Sequence, residues 1–155
     1  MRKQKGFSLI ELLIVVAIIL IIAAIAIPNL LRSRMAANEA SAVGSVRTIN
    51  TAQVTFATNY PADGFTSLAN LGGNATTASN ASALLIDSVL SNGTKSGYIF
   101  TSTAAGGAPN TSYTTKAVPT NVGTTGQRSF FSDQSGVIRY NLSGASPVNT
   151  DPPLQ

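Results

Sequence analysis

The chain has 155 residues, 44% of them hydrophobic and only 10% charged, with a formal net charge of +4. It contains no cysteine and no histidine, which excludes disulfides, cysteine-built zinc sites and the commonest general base. Three of its ten basic residues, Arg2, Lys3 and Lys5, crowd the first five positions. The other seven nearly balance the six acids, so the positive charge is no footprint for nucleic acid.

The basic leader ends at Gly6, and Phe7-Ser-Leu-Ile-Glu11 follows. From Leu12 to Leu31 there are twenty residues without a charge. At the helical rise they span roughly 30 Å, the thickness of a bilayer's hydrocarbon core. Glu11 stands alone at the head of this run. A carboxylate entering apolar surroundings costs about 2.5–3.5 kcal/mol at mid-bilayer, so its presence there calls for a function. An ordinary secretory signal has a shorter apolar region and no acid at its front. Pro28 lacks the N–H that the Ala24 carbonyl would accept, which predicts a kink in the helix. Basic residues flank the run on both sides, Arg2, Lys3 and Lys5 before it and Arg32, Arg34 and Arg47 after it, so charge is a poor guide to orientation and only mildly favours a cytoplasmic N-terminus.

The run Gly6-Phe7-Ser8-Leu9-Ile10-Glu11, the apolar helix, and Ala26-Ile27-Pro28 resemble the N-terminal signature of type IV pilins and of the pseudopilins of type II secretion. The resemblance covers roughly residues 1–60. It implies that a prepilin peptidase cuts between Gly6 and Phe7 and N-methylates Phe7. It also implies that Glu11 serves assembly and that Pro28 marks a place where the helix loosens inside a filament. Many relatives in that family close a C-terminal loop with a disulfide, and this chain has no cysteine with which to do so.

Beyond Leu30 the pattern becomes amphipathic. Val43, Val46, Ile49, Gln53 and Phe56 recur every three or four residues and form one stripe, expected to pack on the following domain. Ala36, Ala40 and Ala52 permit close approach, while Arg32, Arg34, Glu39 and Arg47 are expected to supply polar surface. A single helix over 7–58 is the result, about 75 Å long at the helical rise. Asn59-Tyr-Pro-Ala-Asp-Gly64 ends it. An Ala/Ser/Thr/Asn/Gly-rich loop reaches Ser82. Asn80 or Ser82 is then expected to cap a short helix over Ala83–Ser91, with Leu85, Ile86, Val89 and Leu90 inward and Asn92-Gly93 as a left-handed stop.

Four strands follow: Gly97–Ser102, Tyr113–Pro119, Arg128–Ser132 and Val137–Leu142, the last two joined by a hairpin at Asp133–Gly136. Pro147, Pro152 and Pro153 predict a poorly ordered tail. The expected fold is α+β, a long N-terminal helix on a small antiparallel sheet. Its expected divisions are a leader at 1–6, an apolar helix at 7–31, an amphipathic half at 32–58, a globular part at 59–142 and a flexible tail at 143–155. Triplets such as Asn74-Ala-Thr76 and Asn92-Gly-Thr94 arise by chance in so Asn/Ser/Thr-rich a chain, and no glycosylation is expected from them.

The scattered acids, Glu11, Glu39, Asp63, Asp87, Asp133 and Asp151, form no calcium-loop ladder, so no metal, cofactor or catalytic residue is expected. The leading reading is therefore a structural subunit that polymerises with itself. The resemblance implies an inner-membrane precursor with one span, and then an extracellular pilus or, alternatively, a periplasmic secretion pseudopilus. Its implied partners are the peptidase-methylase and the pilus or secretion assembly machinery. Energy for extraction has to come from elsewhere, since the chain has no Gly-x-x-x-x-Gly-Lys phosphate loop. A secreted domain cut at Ala24-Ile25-Ala26 is a second reading, and an uncleaved signal-anchored enzyme or binding protein a third.

Overall fold

A computed structural model of the chain describes residues 6–73 and 75–154. Leader residues 1–5, Asn74 of the first Asn-x-Thr triplet and the terminal Gln155 lie outside the described residues. The chain forms two compact units, one ending at Arg34 and one running from Met35. Helix α1, Leu9–Asn59, contributes to both and includes Pro28.

In the unit from Met35, five antiparallel strands follow one another in sequence order. They are β1 (Thr94–Lys95), β2 (Tyr98–Ala105), β3 (Ser112–Pro119), β4 (Ser129–Asp133) and β5 (Arg139–Asn141). The sheet thus has one strand more than the four expected. β1 is a two-residue strand, too short to show a period of two in sequence. β2 alternates as its sequence suggests, with Tyr98, Phe100 and Ser102 buried and Ile99, Thr101 and Thr103 exposed. It pairs with β3 along its whole length, from Tyr98 opposite Pro119 to Ala105 opposite Ser112. The β4–β5 hairpin forms where expected, with Phe130 opposite Tyr140. Asp133 shapes its start by accepting from the Ser135 N–H at 2.9 Å, and Gly136 adopts a φ of 73°. β5 begins only at Arg139, two residues later than expected.

Val46, Ile49 and Phe56 of α1 are at most 1% exposed and form the core with Leu71, Leu90, Tyr98, Phe100 and Phe130. This part of the amphipathic stripe is core, as its spacing predicts, and Val43 is half-buried beside it. Polar groups sit among them. Gln53 is fully buried; its amide donates to the Thr66 carbonyl at 2.6 Å and the Ser102 hydroxyl at 2.9 Å, and its carbonyl accepts from the Thr66 N–H. Asn50 donates to the Ser132 hydroxyl at 2.8 Å and accepts from the Tyr113 hydroxyl. Each amide has its partners, so burial is not penalised by an orphaned group.

Glu39 departs from the expectation of polar surface. It is 8% exposed and lies on the buried stripe, seven residues before Val46. One carboxylate oxygen accepts from the N–H groups of Gln127 and Arg128 at 2.9 and 3.0 Å, and the other from Arg128 Nε at 2.8 Å. Asn38 adds a bond to the Thr125 carbonyl. Burial pushes the Glu39 carboxyl up, but the two backbone donors and the guanidinium outweigh it and hold it below the usual glutamate range. A depressed folded pKa adds stability that is present above the unfolded value and lost as pH falls through the folded one. In a fragment from Arg32 onward, Glu39→Gln should cost about 2 kcal/mol at neutral pH. Its thermal midpoint should also fall less than wild type's below about pH 4. Parallel melting curves for the two proteins across that range would remove Glu39 from the acid transition.

The helix expected over Ala83–Ser91 is confined to α3, Ser88–Ser91, capped by Asp87, whose carboxylate accepts from the Leu90 N–H at 2.7 Å. Neither Asn80 nor Ser82 caps it. The reason is a competing set of backbone bonds. A short helix α2, Leu68–Leu71, ends nearby, and the N–H groups of Ala83, Leu84 and Leu85 go to the carbonyls of Asn70, Gly72 and Leu71. Leu84 takes a φ of 56° to make this turn, which no helix accommodates. Ile86 and Leu90 point inward as expected; Val89 is exposed and Leu85 only half-buried. Gly93 stops α3 with a φ of 81°.

The tail is docked, not loose. Leu154 donates its N–H to the Ile138 carbonyl and Tyr140 donates to Pro152, so the tail lies along the open edge of β5. Residues 145–146 cross the outer face of β4, where Ser129 donates to the Ala145 carbonyl and Lys116 to the Ser146 hydroxyl. That cover explains why Ser129 and Phe131, on the face away from Phe130, are also buried. An uncovered edge and an exposed Phe131 are what ordering the tail removes.

Candidate processing and assembly site

The unit ending at Arg34 carries all four residues singled out for processing and assembly. Gly6 lies before the helix in open space: a Cβ built there meets nothing within 4 Å. Phe7 is 75% exposed. Helix α1 begins at Leu9, two residues after the expected start, because Ser8 occupies the cap position and its carbonyl accepts from the Leu12 N–H. Glu11 reaches back, and its carboxylate accepts from the Ser8 N–H at 2.9 Å. Ser8-Leu-Ile-Glu11 has the spacing of a capping box and forms its glutamate half, with the acid also placed where the helix dipole favours it. This role was missed in the sequence, although the Ser-x-x-Glu spacing displays it.

The structure thus brings Glu11 to within one residue of Phe7, and Gly6 is adjacent along the chain. Pro28 lies apart, about 25 Å along the helix from Glu11 at the helical rise. The large apolar side chains from Phe7 to Leu31 are 40–80% exposed. The most apolar window of α1 has a mean hydropathy of 3.3 with none of its residues buried, and the helix is long and apolar enough to cross a membrane. So much contiguous apolar surface needs a cover, either lipid or other protein. Among the described residues no three acids gather where they would hold a metal ion.

Residues 1–27 match the family described as the prokaryotic N-terminal methylation motif. The chain carries a prokaryotic N-terminal methylation motif. It is 67% identical over 39 residues to the type IV wide pilus major component PilA4 of Thermus thermophilus, a match covering 25% of this chain and 30% of that relative. It is 46% identical over 54 residues to the type IV major pilin protein PilA of Myxococcus xanthus, covering 35% of this chain and 24% of that relative. The matches thus span less than a third of either relative's own length. No solved structure matches significantly.

The motif accounts for the residues from the leader to Ile27, so Gly6, Phe7 and Glu11 fall inside it and Pro28 immediately after it. A long N-terminal helix, apolar in its first half, leads into a small open antiparallel sheet, an α+β fold. Both relatives bear the names of pilus proteins, not of enzymes.

Proposed function

We propose that the chain is a prepilin, cut between Gly6 and Phe7, N-methylated at Phe7, and polymerised through its apolar helix into a type IV pilus-like fibre. The observation that carries this reading is the exposed apolar helix headed by a methylation motif. Lipid covers that surface before assembly, with the N-terminus cytoplasmic, and neighbouring helices cover it afterwards. One repeated heterologous contact between subunits generates an open helical polymer. The peptidase-methylase and an inner-membrane assembly machine are the partners this requires. In the fibre, Glu11 meets the methylated amine of an adjacent subunit, and Pro28 is where the helix gives.

Intact mass and N-terminal sequencing of the mature protein test the reading. The expected start is N-methylated Phe7. A start at Ile27 identifies a secreted domain, and retained Met1 an uncleaved anchor; either overturns the proposal. Electron microscopy of fibres sheared from cells, with the gene present and deleted, tests the polymer itself.

A further inference from the structure

A cleft of about 310 Å³ opens beside the end of α1, between the Tyr60–Gly64 turn, the 80–81 turn and the 107–110 loop. Its lining combines the half-buried ring of Phe65 with Asp63, Asn70, Asn80 and Asn110, and Phe56 borders it from the core. Phe65 is held by Tyr113, their ring centroids 4.8 Å apart.

The polar side chains share one property. Each amide spends one of its two N–H groups on a neighbour inside the protein. Asn80 donates to the Asp63 carboxylate at 3.2 Å, Asn110 to the Phe65 carbonyl at 2.9 Å, and Asn70 to the Thr66 hydroxyl at 3.1 Å. The partners of Asn80 and Asn110 are acceptors only, which fixes those two amides with their oxygens free. Among the described residues, the side-chain oxygens of Asn70, Asn80 and Asn110 accept no hydrogen bond. The cleft therefore offers free amide oxygens, a carboxylate and one unspent N–H on each amide, beside the ring of Phe65.

We propose that this cleft binds one ring of a neutral, hydroxyl-rich ligand, a sugar residue. Hydroxyl groups supply the donors that the amide and carboxylate oxygens lack, and the apolar C–H face of a pyranose suits the aromatic lining. A hard cation fits less well, because the cleft supplies a single carboxylate and an aromatic wall. The volume is at the small end for ligand clefts, which suits one ring and not an extended chain. The site lies wholly in the unit from Met35 and does not depend on how the N-terminus is processed.

The test uses the full-length chain in detergent micelles, with glucose, galactose and N-acetylglucosamine as probes at millimolar concentration, read by saturation-transfer NMR. The ring C–H protons of at least one sugar should receive saturation. Asp63→Ala and Asn80→Ala, both at exposed positions, should each weaken that binding about tenfold without moving the thermal midpoint. Methyl glycosides distinguish the end of a glycan, which tolerates the added methyl, from a free monosaccharide held through that hydroxyl; either is a sugar ligand. No saturation of any of the three sugars, or binding unchanged in both variants, overturns the proposal. So does calcium binding that Asp63→Ala abolishes in the absence of any sugar response, which assigns the cleft to a cation.

Discussion

Cells carrying Glu11→Ala should insert and process the protein yet display few or no fibres. If the proposed cut before Phe7 exposes its α-amine, that amine is largely cationic at neutral pH, as α-amines of ordinary basicity are, and the proposed N-methylation keeps the charge. In a dry fibre core that cation needs a partner, and breaking a buried pair costs about 3–5 kcal/mol. The loss recurs at each subunit, so a modest energy per contact becomes a large deficit in polymer. The capping box supplies a rival explanation, because Glu11 also accepts from the Ser8 N–H. Losing that carboxylate from the first turn costs about 0.3–1 kcal/mol of helix stability. Glu11→Gln separates the two. Glutamine keeps an acceptor for Ser8 but no charge for the amine, so it should fail to assemble almost as badly as alanine. Normal fibres from Glu11→Gln would assign Glu11 to the cap. Abundant fibres from Glu11→Ala alone would remove it from the mechanism. Mixed expression with wild type should lower fibre yield if the variant still enters the polymer.

Gly6→Val should leave the leader attached and block everything downstream. A protease has to draw the scissile segment into an extended strand, and glycine obstructs that least. No neighbour in the chain restricts Gly6, whose Cβ position is empty. The side chain should therefore be harmless to folding and harmful only to the peptidase, which makes the test clean. Immunoblots should show precursor-size protein in the membrane fraction at normal abundance. Mature-size protein at wild-type levels would place the cut elsewhere.

The parts of the fold that sequence reveals are those governed by short-range periodicity. Val46, Ile49, Gln53 and Phe56 step along one face of α1, and that face is buried. Asp133 to Gly136 contains its own turn chemistry, and the hairpin forms there. The failures share a different cause. Ala83–Leu85 has residues a helix would accept, but its N–H groups are taken by carbonyls at the end of α2, more than ten residues earlier. The tail reads as loose from its prolines, yet it lies where the sheet has an open edge and an exposed phenylalanine to cover. Such pairings are invisible until the topology is known. Glu39 is a different kind of miss. Its place in the buried stripe can be found by counting back seven residues from Val46, but its charge argued the other way. The donors that offset its burial, Gln127 and Arg128, lie almost ninety residues away. At the N-terminus the leader, the Gly-Phe junction and the lone acid are plain in the sequence, and the Ser8 to Glu11 box was there to be seen beside them.

The amides between α1 and the sheet, Gln53 buried and Asn50 half-buried, bear on mechanics. A fibre pulled along its length loads the seam between helix and sheet in shear. A seam made only of methyl groups and rings slides easily, because one apolar neighbour substitutes for another. Gln53 and Asn50 act as keys in this seam, engaging Thr66, Ser102 and Ser132. A slip of one helical turn, about 5.4 Å, strands these groups without partners, each costing about 1–3 kcal/mol. In the proposed fibre, the globular unit should therefore transmit tension as a rigid link.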